Sequence, residues 1–354
     1  MAYLSGLGVY LPVPRMTSGE IALRSGLPEW VVREKLGIHQ KPVPSPGDDP
    51  AKMAAKAAKE ALKEAGMTGE DVDVVLSIVE EYKDYPVWTS APYIALEVSA
   101  HRAWGFDLNQ KCATFITALT VAQGLFAARP EVSTILVAGG YRNGDLIDYQ
   151  DEQVRFMYDL AAGGAAAVLT REMFASPRSG EVFASPRSGE GPGIRLLSTR
   201  LKTDAVLAQT VLVPVGGTAE PLTPENAGQF KLRVTDPELM KSRLEAVSMT
   251  GFMEVINGAL QDAGYTAADL DYLALLHMKP SAHRAVLEGL GLSENQTIYL
   301  CDYGHLGQLD PILSLKLARE AGKIGPGSLI AIAAAGVGYH WGAAVLRWEK
   351  NHGA

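Results

Sequence analysis

Two stretches of this chain repeat one another. ALKEAGMTGEDVDVVLSI begins at Ala61 and ALQDAGYTAADLDYLALL at Ala259, matching at Ala-Leu, Ala-Gly, a threonine and two aspartates in one register. Each copy reads as the end of an amphipathic helix closed by a glycine, Gly66 or Gly264, then a short turn and a strand of branched or leucine side chains. A second pair follows in the same order: STILVAGGYRNG from Ser133 and SLIAIAAAGVGYHWG from Ser328, both buried-strand patterns running into glycine loops. Two matches in the same order point to duplication of one α/β unit, with copies over 1–172 and 194–354. Continuous apolar strands alternating with helices predict mostly parallel sheets covered on both faces, hence a layered α/β protein.

Between the copies, residues 173–193 carry the octet FASPRSGE twice, from Phe174 and from Phe183. Ser, Pro, Gly and Arg at this density predict an exposed loop. A chain of 354 residues with 47% hydrophobic and 20% charged side chains has enough apolar material for both copies to share a large core. Two cysteines build no disulfide framework, and the N-terminus lacks a charged stretch followed by a long apolar one, so a reducing cytoplasm is the expected compartment. No 18-residue apolar run is free of charge, which argues against a membrane span. The formal net charge of −8 argues against nucleic acid as the main partner.

Duplication brings equivalent strand ends together, and ligands of α/β sheets collect at carboxyl ends of strands. Three polar residues fall at such ends. Cys112 follows FDLNQK and precedes an apolar helical stretch; His277 ends LDYLALLH; His305 lies in TIYLCDYGHLGQLDP. A thiol at a helix N-terminus is expected to have a lowered pKa, as a nucleophile needs. Two imidazoles near it would serve as base, acid or hydrogen-bond donors to an oxyanion. Other polar residues have plainer readings. Cys301 in IYLC is expected to be a buried small apolar residue, and Asp310, followed by Pro311, a helix N-cap. His283 and His340 read as surface or packing residues. A metal site from Cys301, Asp302 and His305 is disfavoured because neighbours on a strand point to opposite faces. GVGYHWG from Gly336 follows the last strand and opens no helix, so it is not a dinucleotide loop.

Taken together, GVYLP near the N-terminus, PEWVVREKLGI from Pro28, FDLNQKCATFITAL, HMKP at His277, YGHLGQLDP and GVGYHWGAAVLRW resemble the ketoacyl-acyl carrier protein synthase III branch of the thiolase superfamily, over nearly the whole chain. The resemblance implies a five-layer αβαβα fold, a homodimer, and a cysteine acylated by an acyl thioester, with no cofactor beyond the substrate's own phosphopantetheine. It places Cys112 as nucleophile, His277 as the first active-site histidine and His305 where the branch usually has asparagine. The backbone N–H groups of Cys112 and Val337 would form the oxyanion hole. Trp30 would stack on the adenine of coenzyme A, Lys279, Gly336 and Gly338 would line the substrate site, Trp88 would close the partner's acyl pocket, and Lys241 would dock acyl carrier protein. The partners implied are acyl-CoA, malonyl-CoA or malonyl-carrier protein. Decarboxylative condensation with a malonyl thioester is the expected reaction; transfer to form an ester or amide is the alternative. A cysteine hydrolase and a non-catalytic acyl-binding protein are the more distant rivals.

Overall fold

The structure is a computed structural model, and it describes residues 1–172 and 193–349. The FASPRSGE repeat lies outside the described residues. The first copy contributes strands β1 (Tyr3–Tyr10), β2 (Val74–Ser77), β3 (Trp104–Asp107), β4 (Thr134–Tyr141) and β5 (Gly163–Thr170); the second contributes β6 (Ile194–Thr203), β7 (Tyr272–Leu275), β8 (Leu329–Gly336) and β9 (His340–Trp348). They pair in the order β7-β8-β9-β6-β1-β5-β4-β2-β3. Each half thus repeats one strand order, and the two runs meet where Tyr3 and Leu4 of β1 face Arg195 and Ile194 of β6. The stretch corresponding to β3, residues 297–300, forms no strand.

In each run one strand, β5 or β9, is reversed, so the expectation of mostly parallel sheets holds for strand direction alone. The reversed strand sits inside its run and pairs antiparallel with both neighbours, which makes the sheets mixed.

The repeated sequence makes repeated structure. Thr68 and Asp71 close a capping box in one copy, Thr266 and Asp269 in the other, with each threonine N–H donating to the aspartate at 2.8 Å. The next aspartate of each motif then ties a neighbouring strand: Asp73 Oδ2 accepts from Ser133 N at 2.8 Å, and Asp271 Oδ2 from Leu329 N at 2.7 Å.

Six helices supply the other layers: α1 (Pro50–Glu64), α2 (Ser90–Glu97), α3 (Thr114–Ala128), α4 (Pro237–Asp262), α5 (Pro280–Leu290) and α6 (Asp310–Glu320). The alanine face of α1 lies so close to β1 that a Cβ on Gly8 would stand 2.0 Å from the Ala57 carbonyl oxygen. α1 and α2 cover the first sheet and α4 the second, with α5 against α4. α3 and α6 form the middle layer, each touching strands of both halves. Residues 111–128 are long and apolar enough to cross a bilayer, yet α3 buries Phe115, Ile116, Leu119 and Phe126 between the sheets. Helices apolar on most faces suit such a central layer.

Candidate active site

α3 and α6 begin at the same edge of the sheets, and Cys112, His305 and Asp310 gather at their N-termini. Cys112 sits two residues before α3, behind Lys111, whose φ of 51° is left-handed. Thr114 Oγ1 accepts from Gln110 N at 2.8 Å and donates to Lys111 O at 2.5 Å, knotting the turn. Cys112 Sγ lies 3.1 Å from His305 Nε2, and His305 Nδ1 lies 2.6 Å from Asp310 Oδ2. The backbone holds His305 in place: its N–H donates to Asp159 O at 2.9 Å, and its carbonyl accepts from Ala161 N at 3.0 Å.

Asp310 is not an N-cap. It is the first residue of α6, buried with no exposure, and accepts from His305 Nδ1, from His277 N at 2.7 Å and from Leu306 N at 2.7 Å. Its place in the sequence, five residues after a histidine and at a helix start, fits a cap equally well. Only the packing of β7 against this turn shows otherwise. Burial disfavours an imidazolium at His305, but Asp310 and the cysteine sulfur outweigh it and raise the pKa well above the usual histidine value. Burial pushes the Cys112 thiol upward against the pull of His305. This corrects the expected lowering: burial outweighs the charge and hydrogen bond of His305, which act to lower the thiol pKa.

His277 is buried near this group, its N–H bonded to Asp310, but among the described residues its ring makes no hydrogen bond to the sulfur. Its Nδ1 lies 2.7 Å from Asp159 Oδ2 and its Nε2 lies 3.1 Å from the Gly37 carbonyl oxygen, so both ring nitrogens are occupied. Burial alone would raise the Asp159 carboxyl, but the hydrogen bond and charge of His277 hold it below the usual range. Asp159, like Asp310, was not legible as a site residue in the sequence.

Gly336 packs against the turn that carries Cys112: a Cβ there would meet Cys112 N and Lys111 Cβ, both at 2.7 Å. Val337 and Gly338 follow at the end of β8, bringing the expected oxyanion-hole segment beside Cys112. Trp30 is exposed before the turn Val31–Lys35, and Lys279 and Lys241 are exposed on or beside α5 and α4. Trp88 is half-buried between the rings of Tyr85 and Tyr93. Cys301 is half-buried rather than buried, because its stretch forms no strand. It lies with His39 and Asp302, their donor atoms within 4.8 Å of one another, whereas His305 turns away to Cys112. His283 packs edge-on against Tyr299, its pKa lowered to about 4 first by burial and then by His277. His340 bonds Thr203 Oγ1 at 2.9 Å.

Residues 106–185 match the family profile of 3-oxoacyl-acyl-carrier-protein synthase III, and residues 260–348 match that of its C-terminal region. The beta-ketoacyl-acyl-carrier-protein synthase III of Symbiobacterium thermophilum is 26% identical over 98% of both chains. The chain is a ketoacyl synthase III-like member of the thiolase superfamily. It is an acyltransferase of that type. Among solved structures, the 3-oxoacyl-acyl-carrier-protein synthase III of Aquifex aeolicus superposes with a TM-score of 0.79 at 22% identity, covering 98% of this chain and 100% of that one. OleA of Xanthomonas campestris, crystallised with lauric acid and lauroyl-CoA, superposes with a TM-score of 0.77 at 18% identity, covering 98% and 99%. The thiolase-like fold, with its two duplicated halves, is therefore that of the synthase III structures.

Proposed function

We propose that the protein works by ping-pong acyl transfer, taking an acyl group from an acyl-CoA or acyl-carrier-protein thioester onto Cys112 and passing it to a second substrate. The observation that carries this is the hydrogen-bonded chain Cys112–His305–Asp310 at the N-termini of the two central helices. His305 Nε2 takes the thiol proton, Asp310 steadies the imidazolium, and the sulfur attacks the thioester carbonyl. The N–H groups of Cys112 and Val337 receive the oxyanion. The departing thiolate then takes the proton from His305. The nucleophile comes from the copy over 1–172 and the histidines from the copy over 194–354. Trp30, Lys279, Gly336 and Gly338 serve the pantetheine and adenine ends of the donor, and Lys241 a carrier protein.

Two readings of the second half-reaction have support. The names of the relatives support condensation with a malonyl thioester, in fatty-acid or polyketide-like synthesis. The geometry favours an acceptor that gives up a proton: His277 is engaged on both nitrogens, so no second free imidazole stands ready to polarise a malonyl carbonyl.

Intact-mass spectrometry after incubation with acyl-CoAs of increasing chain length tests the loading step. One acyl adduct is expected on the parent and none on Cys112→Ala. An adduct on Cys301, or unchanged acylation of the alanine variant, would overturn the reading.

A further inference from the structure

Glu80 is a buried carboxyl that the chemistry above leaves idle. It follows β2, whose extended backbone continues at least to Ile78, where the N–H donates to Ala138 O at 2.9 Å. Glu80, Cys112 and Asn143 therefore leave the carboxyl ends of three neighbouring parallel strands, β2, β3 and β4. Glu80 is 4% exposed. Its Oε2 accepts from Asn143 Nδ2 at 2.8 Å, but Oε1 has no partner among the described residues. Asn143 Oδ1 is equally bare, and so is Oε1 of the fully buried Gln308, whose Nε2 donates to the Ile78 carbonyl.

A carboxyl kept for architecture has its oxygens capped, as those of Asp310 are. Lys111, the cation acting most strongly on Glu80, gives its ammonium to Glu81 at 2.5 Å instead. Glu80 also lies within electrostatic reach of Cys112 and His305. Burial raises its carboxyl pKa against the pull of Lys111, which strengthens it as a base once ionised. Bare buried acceptors call for hydrogen-bond donors from a ligand. A malonyl carboxylate brings further acceptors and a like charge, whereas a hydroxyl or amine brings N–H or O–H.

We infer that Glu80 is the general base of the second half-reaction, and that the acceptor is a hydroxyl or amine that donates to Glu80 Oε1 and Asn143 Oδ1 before it attacks the acyl carbon. This rests on the loading of Cys112 proposed above. The acceptor oxygen or nitrogen forms a bond to the thioester carbon as its proton moves to Glu80. The tetrahedral intermediate then collapses, the carbon–sulfur bond breaks, and Cys112 leaves as thiolate. The proton on Glu80 passes to that thiolate, restoring the free enzyme.

The test follows the lifetime of the acyl-enzyme by intact mass after excess acyl-CoA is removed, in buffer alone, with ethanolamine, and with malonyl-CoA. Water serves as the smallest protic acceptor, so every sample has a measurable discharge. Glu80→Gln is expected to acylate at the parental rate, which also shows that the site has folded. Its acyl-enzyme should survive about 10²-fold longer in buffer, with any acceleration by ethanolamine lost. Equal lifetimes in parent and variant would overturn the role of Glu80 while leaving Cys112 loading intact. Discharge of both by malonyl-CoA at one rate, faster than by either protic acceptor, would overturn the acceptor class. Failure of the parent to acylate would remove the reading on which the inference stands.

Discussion

At the scale of single residues, Asp310 joins stability to chemistry. It is fully buried and accepts one side-chain and two backbone N–H donors. Asp310→Ala leaves the N–H groups of His277 and Leu306 unpaired, at about 1–3 kcal/mol each, and a clear fall in melting temperature is expected. Asp310→Asn keeps the shape but withdraws the charge that steadies the imidazolium formed when His305 takes the thiol proton, and should slow acylation of Cys112 by about 10²-fold or more. Rapid-quench mass spectrometry at parental rate in the asparagine variant would show His305 to be a packing residue. Asp159 gives a pH signature. Its folded-state pKa lies below the unfolded value of 3.8, so its contribution to stability is complete above that value and lost as pH falls below it. Asp159→Asn should melt earlier than the parent at neutral pH, and the two curves should converge in acid. A constant gap at all pH values would contradict that linkage.

The elements matter because two turns must meet without side chains between them. The end of β8 presses on the turn before α3, and Gly336 leaves room only for a hydrogen. Gly336→Ala places a methyl group 2.7 Å from the nucleophile's own amide, so either β8 or the Cys112 turn has to shift. Acylation by acyl-CoA is expected to fall by at least 10²-fold, since a misplacement of about 1 Å costs that much. A parental acylation rate would mean that the oxyanion-hole segment lies elsewhere.

For the whole molecule, β3 ends the strand order, and its open edge carries Trp104, 43% exposed and stacked on Phe106. Val87 and Tyr85 stand exposed in the loop that precedes α2. Unpaired edges with apolar neighbours are usually covered, and a second copy of the chain continuing the sheet through β3 would do so. Light scattering at micromolar concentration is expected to give the mass of a dimer, with Trp88 carried toward the partner's acyl site. A monomer would contradict this.

The duplication was written openly in the sequence, because capping boxes, glycine helix ends and apolar strand runs are local patterns that survive divergence. The motifs Ala61–Asp73 and Ala259–Asp271 make the same turn and the same strand tie in both halves. Cys112 was legible as a residue beyond a strand end, where loops of an α/β sheet gather, whereas the stretch before His305, read as a strand, forms none. The partners of these two were not legible. Asp310 reads as a cap, His277 as a free imidazole, and nothing local marks Asp159 or Glu80, because hydrogen bonds between segments distant in the chain, 33 residues for His277 N to Asp310 and 118 for His277 to Asp159, have no local signature. Burial then set the protonation that sequence position predicted wrongly. A thiol at a helix N-terminus is expected to ionise easily, but burial raises the Cys112 pKa against the pull of His305, and only the tertiary structure decides that burial.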